Sequence, residues 1–489
     1  MLTTQRSLIP KIGLVGVGIG LLTAFMPVYL GLMVGAIAIV FLFFASFEQT
    51  VLGLLILRSA LDPFSARQIP SLFAIGVDVL TLLYVVVTLL TGRTVRTDKF
   101  WWFFAGWVAL QALGVILIPL GEQDLDTAAF VDSIREWVRL FSSLMVYLLV
   151  MQLQDRLHPQ KIISALFFAL ILPLTAATMQ MVVPVSMLPG ILQATKDPIS
   201  GDISRINGTL GLANTFATFL LLFIGLTYWK LNQSQHRWPW LILLVVLGFF
   251  YVSTKTLFSL IMLGIFILVL IAPRLSLINL IGGAFLFAVV IGLFGSTEFG
   301  QQRLTSLTQT PLLNPDLDIS RAILLSHGDG NSFNWRLAQW SLLIQAWGQS
   351  PILGYGLATS RYLTIYNNYA HNDYVRALVE GGIFGLLAFL LFLSIQATHL
   401  IELVRRTSST SAQQDLCRVL LAILAAVAVG MITENIWSHT TFFFYWWTLF
   451  AVAGWNWEWG VGSGEWGDGE MREMREMREM GEMGEMGGQ

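Results

Sequence analysis

Charged residues and cysteines are scarce in this sequence. Asp, Glu, Lys and Arg make up only 12% of its 489 residues, and the formal net charge is -2. A chain with no broad basic surface lacks the electrostatic footprint of a nucleic-acid-binding protein, so we expect no nucleic-acid partner. The single cysteine, Cys417, excludes both an intrachain disulfide and a multi-cysteine metal site.

Apolar residues dominate instead. They make up 55% of the chain, and the mean hydropathy is +0.70. Runs of about 17 to 25 apolar residues, the length that crosses a bilayer as a helix, recur along most of the sequence. We therefore predict an all-α polytopic membrane protein with about 13–14 transmembrane helices and a long external loop that carries interfacial helices.

The predicted spans follow one another closely. Thirteen lie near residues 11–27, 29–47, 71–91, 100–120, 134–153, 161–183, 210–229, 238–254, 256–273, 275–295, 379–401, 416–436 and 441–457. A shorter run at 49–61 is a candidate fourteenth span, short or broken.

Short basic loops predict the sidedness, because cytoplasmic loops retain Lys and Arg. The loops that contain Arg93, Arg156, Lys230 and Arg405 are expected in the cytoplasm. The N-terminus is also basic and is expected in the cytoplasm. It reaches that side only if the run 49–61 crosses the membrane, so we favour fourteen spans.

Four regions are expected along the chain. They are N-terminal transmembrane helices at 1–200, a core at 201–401 with the external loop 296–378, C-terminal transmembrane helices at 402–457, and a cytoplasmic tail at 458–489. The tail ends in "EMREMREMREMGEMGEMGGQ", whose period of three builds no fixed apolar helix face. We predict that it is a solvated, low-complexity appendage.

Cations recur on the side predicted to be external. They are Arg135, Arg139, Lys196, Arg205, Lys255, Arg303, Arg321, Arg336, Arg361 and Arg376. Many such charges are ordinary solvated surface, since long exported loops tolerate them. Arg205, Lys255 and Arg336 differ because each adjoins a membrane entry or an amphipathic helix.

The surroundings of these three cations suit an anion. Arg205 precedes a Gly-rich span entry, where free backbone N–H groups attract negative charge. Lys255 lies in a tight hairpin, where it either snorkels to lipid headgroups or points into a polar cleft. Arg336 lies on a helix predicted at 333–347, whose Trp and Leu stripe favours the membrane interface. An arginine fork suits phosphate oxygens.

A polar stretch, "NNYAHNDYVRALVEGG" (367–382), precedes an apolar run. Its His371 can accept a proton from a hydroxyl at ordinary pH if the imidazole is neutral. The alternative is a histidine that only holds its loop by hydrogen bonds. His371, Asp373 and Glu380 follow no recognised metal-ligand spacing, so we predict no metal site.

Four motifs, taken in order, resemble the O-antigen ligase and O-antigen polymerase superfamily. They are "RINGTLGLAN" at a span entry, "STKT" at a hairpin, "NWRLAQW" followed by "PILGYGL" in the external loop, and "HNDYVRALVEGGIFGLLAF" at the next span. The resemblance covers roughly residues 200 to 400.

This resemblance implies a membrane glycosyltransferase. Such an enzyme transfers or polymerises a glycan from undecaprenyl diphosphate onto an acceptor hydroxyl, with inversion and without metal or cofactor. The implied partners are the undecaprenyl-diphosphate-linked glycan, a lipid or glycan acceptor and membrane lipid. The implied location is the bacterial inner membrane, with the active site facing the periplasm.

The resemblance also implies roles for individual residues. His371 is the candidate base or positioning group, and Arg336 and Arg205 are candidates to bind the diphosphate and stabilise its growing charge. The substrate-binding candidates are Lys255, Asn372, Asp373 and Arg376. Lys255 departs from the family pattern, since relatives have arginine there, and a lysine keeps the charge but loses the bidentate fork.

Two questions stay open at this point. Superfamily relatives described as bicarbonate transporters make inorganic anion transport the alternative, and Asp78 at 71–91 and Glu434 with Asn435 at 416–436 are the ionisable and polar groups near mid-membrane that it would use. Within the transferase interpretation, ligation to lipid A core, polymerisation and transfer to protein differ in an acceptor that the sequence does not reveal.

Overall fold

The apolar runs fold into helices, because a backbone in lipid must satisfy its own N–H and C=O groups. The computed structural model of the protein describes residues 28–120, 127–193, 205–271, 277–296, 332–406 and 411–457, with six single residues between 301 and 325. Within these ranges the regular structure is helical, and no strand occurs. The predicted all-α polytopic membrane fold is confirmed.

Fifteen α-helices lie within the described ranges. In chain order they are α1 (Val28–Ala45), α2 (Phe47–Leu57), α3 (Ile69–Leu90), α4 (Lys99–Leu120), α5 (Thr127–Met151), α6 (Pro159–Leu166), α7 (Ile171–Val182), α8 (Ala213–Gln233), α9 (Trp238–Ser253), α10 (Leu257–Ile271), α11 (Leu277–Ser296), α12 (Ser332–Trp347), α13 (Asp373–Arg406), α14 (Ser411–Gly430) and α15 (Thr440–Ala453). Each span predicted from residue 29 onward lies on one of these helices or, at 161–183, on the near-continuous pair α6 and α7. The predicted span 11–27, most of the loop segment 297–331 and the tail 458–489 lie outside the described residues.

Fewer helices than predicted are long and apolar enough to cross a bilayer. In the described part of the chain six meet both conditions: α3, α4, α6 joined to α7, α8, α13 and α14. The α1 and α2 helices form a pair bent by 119°, which counts as a seventh span if it is one broken crossing. The apolar helices α9, α10 and α15 have 16, 15 and 14 residues, which is why they fall short of a full span.

Polar contacts collect at two opposite ends of the helix bundle. At one end, Arg96 pairs with Asp155 at 2.6 Å and Gln233 at the end of α8 bonds Asp415 at the start of α14. The start of α8, the segment after α14 and the start of α13 meet at the other end. The loops predicted as cytoplasmic thus gather at the first end, and the candidate site residues gather at the second.

Aromatic packing joins the helices beneath the second end. The rings of Phe104 and Trp447 lie 4.3 Å apart, and those of Trp107 and Phe392 lie 5.0 Å apart and stacked. These contacts connect α4, α13 and α15 through large, fully or nearly fully buried side chains. These aromatic contacts hold the three helices together next to the polar residues at the second end of the bundle.

Glycines explain why two of the sequence motifs fit together. Gly382 interrupts α13 with φ +62°, and a Cβ there would lie 2.1 Å from the carbonyl oxygen of Ile352. Across this close approach, Tyr355 N–H donates to the Val379 carbonyl at 3.1 Å, and Gly356 N–H donates to the Glu380 carbonyl at 2.8 Å. The "PILGYGL" loop therefore binds the backbone of α13 where that helix is interrupted. These hydrogen bonds hold the short helical segment that follows His371.

Candidate active site

Glu434 lies outside the helix in which the sequence placed it. The predicted span 416–436 ends at Gly430, and residues 431–439 form a connecting segment before α15. The helix end packs closely on α10, because a Cβ on Gly430 would lie 2.6 Å from the Met262 sulfur. The Glu434 side chain is only 6% exposed, yet it belongs to the polar end of the bundle and not to mid-membrane.

The Glu434 carboxylate joins groups from three other parts of the chain. Its Oε1 lies 3.0 Å from Nδ1 of His371 and accepts the Asn435 N–H at 3.1 Å. Its Oε2 accepts a short hydrogen bond from Nδ2 of Asn214 and lies 3.7 Å from Nη2 of Arg336. Three predicted catalytic residues thus meet here, two of them directly and Arg205 through Asn214.

His371 presents one ring nitrogen to the open side of the site. Its backbone has φ +47°, just before α13 begins, and its side chain is 21% exposed. Nδ1 faces Glu434, while among the described residues Nε2 makes a long, 3.5 Å contact to Nδ2 of Asn368. The Trp335 ring meets the imidazole edge to face at 5.2 Å and limits its rotation.

Arg336 is held beside His371 by α12. The predicted helix at 333–347 is confirmed as Ser332–Trp347. Its Leu343 is fully buried against Ala370 and Val379, and Nε1 of Trp340 donates to the Ala370 carbonyl at 2.5 Å. The stripe expected to face lipid thus packs largely on protein, and this packing fixes Arg336, which is 22% exposed.

Arg205 and the turn of Lys255 lie on the neighbouring side. Nη2 of Arg205 donates to Oδ1 of Asn214 at 2.9 Å, and Nε donates to the Thr254 carbonyl at 3.3 Å. Lys255 follows Thr254 in the α9–α10 hairpin with φ +51° and a partly exposed side chain. The tight turn therefore places Lys255 next in sequence to a residue that contacts Arg205.

Asn372 and Asp373 have contacts that support the fold. Oδ1 of Asn372 accepts the N–H groups of Tyr374 and Val375, both at 3.0 Å, and so caps α13. Oδ2 of Asp373 accepts the Trp437 N–H at 2.9 Å, and the Asp373 N–H donates to the Met431 carbonyl at 2.8 Å. Both are predicted to bind substrate; in the structure Asn372 caps α13, and Asp373 fastens the 431–439 segment to that helix.

Arg376 is enclosed by protein. Its Nη2 lies 2.9 Å from Glu136 of α5, its Nε lies 3.0 Å from Glu380, and its guanidinium lies over the Tyr369 ring at 4.3 Å. Glu380 also accepts a hydrogen bond from the Ser360 hydroxyl at 2.6 Å. These contacts leave the Arg376 side chain 4% exposed, which favours an architectural role over substrate binding.

The other cations that were predicted to be external have partners or positions apart from this cluster. Arg135 and Arg361 both pair with Asp132 at 3.0 Å, Arg139 pairs with Glu136 at 2.7 Å, and Arg321 is exposed. Lys196 and Arg303 lie outside the described residues.

The charges of the cluster favour an anionic ligand. Burial alone would raise the pKa of Glu434, but the neighbouring His371 and then Arg336 outweigh it and lower that pKa well below the ordinary range. Burial lowers the pKa of His439, behind the site, to about 4, so His439 is neutral at ordinary pH. Arg336 thus faces the carboxylate directly, and Arg205 adds a second positive charge through its contact with Asn214.

No group of three or more His, Cys, Asp or Glu side chains in the described ranges is arranged to hold a metal ion. The site that the structure assembles consists of cations, one histidine and one carboxylate. Its chemistry is that of anion binding and proton transfer.

Two residues of the site were not assigned to it from sequence. Glu434 was considered only as a mid-membrane group, and Asn214 lies inside the "RINGTLGLAN" motif without a predicted role. Their signal was weak, since each is one polar residue beside an apolar run. Only the contact between separate helix ends reveals them.

The fold and site define a polytopic membrane protein with a cationic, histidine-containing centre at one end of its helix bundle. Residues 240–390 match the family model of the O-Antigen ligase. The match includes Lys255, Arg336 and His371, and it confirms the predicted resemblance to the O-antigen ligase and polymerase superfamily, whose members act on lipid-linked glycans and acceptors. No curated protein matches the chain.

Proposed function

We propose that the protein transfers or polymerises a glycan from undecaprenyl diphosphate onto an acceptor hydroxyl. The observation that carries this proposal is the meeting of His371, Arg336 and Arg205 around Glu434 at one end of the bundle. A histidine beside cations, next to lipid, matches the requirements of a lipid-linked diphosphate donor. The O-Antigen ligase match over residues 240–390 supports the same reaction class.

In the proposed reaction, His371 is the general base. The acceptor hydroxyl approaches Nε2 of His371, and its oxygen attacks the anomeric carbon of the donor glycan as its proton passes to Nε2. The new carbon–oxygen bond forms on the face opposite the leaving group, which inverts the anomeric configuration. The bond from the anomeric carbon to the diphosphate oxygen breaks, and its electron pair stays on that oxygen.

The arginines stabilise the diphosphate as it leaves. Its charge grows while the bond breaks, and fixed cations in a partly buried site stabilise such charge more than bulk water does. Arg336 and Arg205 supply planar donor forks suited to phosphate oxygens, and Lys255 supplies a point charge. Protein packing on α12 and the Asn214 contact hold the two forks in place before substrate binds.

The lipid tail has a route beside α13. Beyond the break at Gly382, the side chains of Phe384, Leu387 and Leu391 are exposed on the outer face of that helix. A donor whose diphosphate reaches the arginines can keep its isoprenoid chain against this apolar surface. We place the site at the periplasmic face of the bacterial inner membrane, because the basic loops gather at the opposite end of the bundle.

The test is a transfer assay with purified protein in liposomes. The donor is an undecaprenyl-diphosphate-linked glycan, and the acceptor is the lipid or glycan fraction of the source organism. We expect His371→Ala to lower the rate by about 100-fold or more, since a general base contributes that much. His236→Ala is the matched control, because His236 is exposed in the loop after α8, at the other end of the bundle. Absence of undecaprenyl diphosphate release by the wild type with every acceptor would overturn the proposal.

The structure supports the alternative, anion transport, less than the sequence did. Of the groups on which it depended, Glu434 and Asn435 lie outside the helices, and only Asp78 lies within a span. Oδ2 of Asp78 accepts the Ser142 hydroxyl at 2.6 Å, a contact that joins α3 to α5. The same liposomes test this alternative directly through uptake of labelled bicarbonate.

A further inference from the structure

We infer that Glu434 is the positioning residue of this site. It selects the tautomer of His371 and orders the two arginines through one buried carboxylate. The inference rests on the proposed function, and it assigns a role to a residue outside the stretch that matches the ligase family.

The tautomer follows from the hydrogen-bonding capacity of the two groups. An ionised carboxylate only accepts hydrogen bonds, so the His371 nitrogen 3.0 Å from Glu434 must carry the hydrogen. In a neutral imidazole this places the hydrogen on Nδ1 and leaves a lone pair on Nε2. Nε2 is the nitrogen on the open side, so the carboxylate presents His371 as a base in the right orientation. After proton transfer, the same carboxylate faces and stabilises the imidazolium.

A second chain of contacts orders Arg205. Because Glu434 can only accept, Asn214 must point its Nδ2 at the carboxylate and its Oδ1 away from it. Oδ1 then accepts from the guanidinium of Arg205 at 2.9 Å, and guanidinium can only donate. The orientation of one amide thus transmits the position of Glu434 to Arg205.

Glu434 also attracts Arg336. Its Oε2 lies 3.7 Å from Nη2 of Arg336, which is within ion-pair range but beyond a good hydrogen bond. The charge of the carboxylate therefore keeps the guanidinium beside His371.

The segment that carries Glu434 is itself fixed to the helix that follows His371. Asp373, at the start of α13, binds this segment twice, through the Trp437 N–H and the Met431 carbonyl. His371 and Glu434 therefore cannot separate unless this junction opens. A second layer of contacts of this kind is what keeps a reactive group in productive geometry.

The test compares Glu434→Gln, His371→Ala and the double variant in the liposome transfer assay at saturating donor. A glutamine has one accepting oxygen and one donating amide, so it cannot accept from both His371 and Asn214. We expect Glu434→Gln to lower kcat by about 100-fold, and the double variant to be slower than His371→Ala by much less than that factor, because most of the loss acts through His371. Misalignment of the arginines should also raise the KM for the lipid donor, measured in a series of donor concentrations.

Two further variants make the result specific. Glu434→Asp keeps the negative charge, but its side chain is one methylene shorter, so the carboxylate lies farther from His371. We therefore expect a kcat between those of the wild type and the Gln variant. Glu402→Gln is the matched control, because Glu402 is an exposed glutamate that pairs with Arg406 at the opposite end of the bundle. It should transfer at the wild-type rate. If Glu434→Gln fails to fold, the Asp variant carries the test, with an intermediate kcat expected and a wild-type kcat contradicting it.

The outcomes separate the two proposals. An active wild type with a Glu434→Gln kcat within about threefold of it would overturn the positioning role and leave the transferase intact. Multiplicative losses in the double variant would also overturn that role, since they would show that Glu434 acts independently of His371. A wild type that transfers no glycan would overturn the proposed function and this inference with it.

Discussion

Two arginine–glutamate clusters lie at the same end of the molecule and differ in openness. Arg376 contacts two carboxylates at 2.9 and 3.0 Å and is 4% exposed. Arg336 lies 3.7 Å from one carboxylate and is 22% exposed. A buried cation held between two buried acids stabilises the fold, whereas a partly exposed cation can reach a substrate anion.

The largest expected effect comes from breaking the closed cluster. Arg376→Ala leaves Glu136 and Glu380 buried without their shared cation, which costs about 3–5 kcal/mol of folding free energy. We expect little folded protein after detergent extraction, as measured by size-exclusion recovery and thermal unfolding. A well-folded Arg376→Ala protein that has lost only its transfer activity would contradict this structural role. It would show that Arg376 binds the substrate.

The open cluster should respond in the opposite way. Arg336→Lys keeps the charge but removes the planar fork, so we expect kcat/KM to fall by about tenfold or more. The thermal unfolding temperature should stay near the wild-type value, since Arg336 is partly exposed and its ion pair is long. An unchanged kcat/KM would assign Arg336 to the surface and leave the diphosphate to the other cations.

The smallest expected effect is a pH dependence of stability. Because the pKa of Glu434 is lowered from its ordinary value of 4.5, the unfolded chain takes up this proton first as the pH falls. The stability that the ionised carboxylate contributes is therefore complete above pH 4.5 and is lost as the pH falls further, toward the folded-state pKa. The measurement is the difference in unfolding temperature between the wild type and Glu434→Gln, followed downward from pH 4.5, where the unfolded-state carboxyl begins to take up its proton. A difference that grows below pH 4.5 would contradict the ionised state assigned to Glu434.

Much of the fold could be predicted because apolar runs and helix stop signals are local. The α12 helix, for example, was predicted at 333–347 and observed at Ser332–Trp347. The number of full-length spans was not predictable in the same way. Whether α1 and α2 meet at a bend of 119°, or whether the hairpin of Lys255 joins two short helices, depends on packing that a hydropathy window does not contain.

The site was predictable in part for a similar reason. Arg205, Arg336 and His371 were identified from residue type and position, and the structure brings them together. Asn372, Asp373 and Arg376 were included because they are near His371 in sequence, but the turn of α13 directs them into protein contacts. Glu434 was misplaced because an apolar window does not show that α14 ends at Gly430, where the chain contacts Met262 and Asp373, residues distant in sequence.

The central claim is that glycan transfer and diphosphate release are one reaction at His371. The most direct measurement is the amount of undecaprenyl diphosphate released by the wild-type protein, with and without acceptor, against the amount of glycan joined to that acceptor. We predict equal amounts of the two products, release that depends on acceptor, and loss of both in His371→Ala. Release without acceptor, or equal transfer by the His371→Ala variant, would contradict the account.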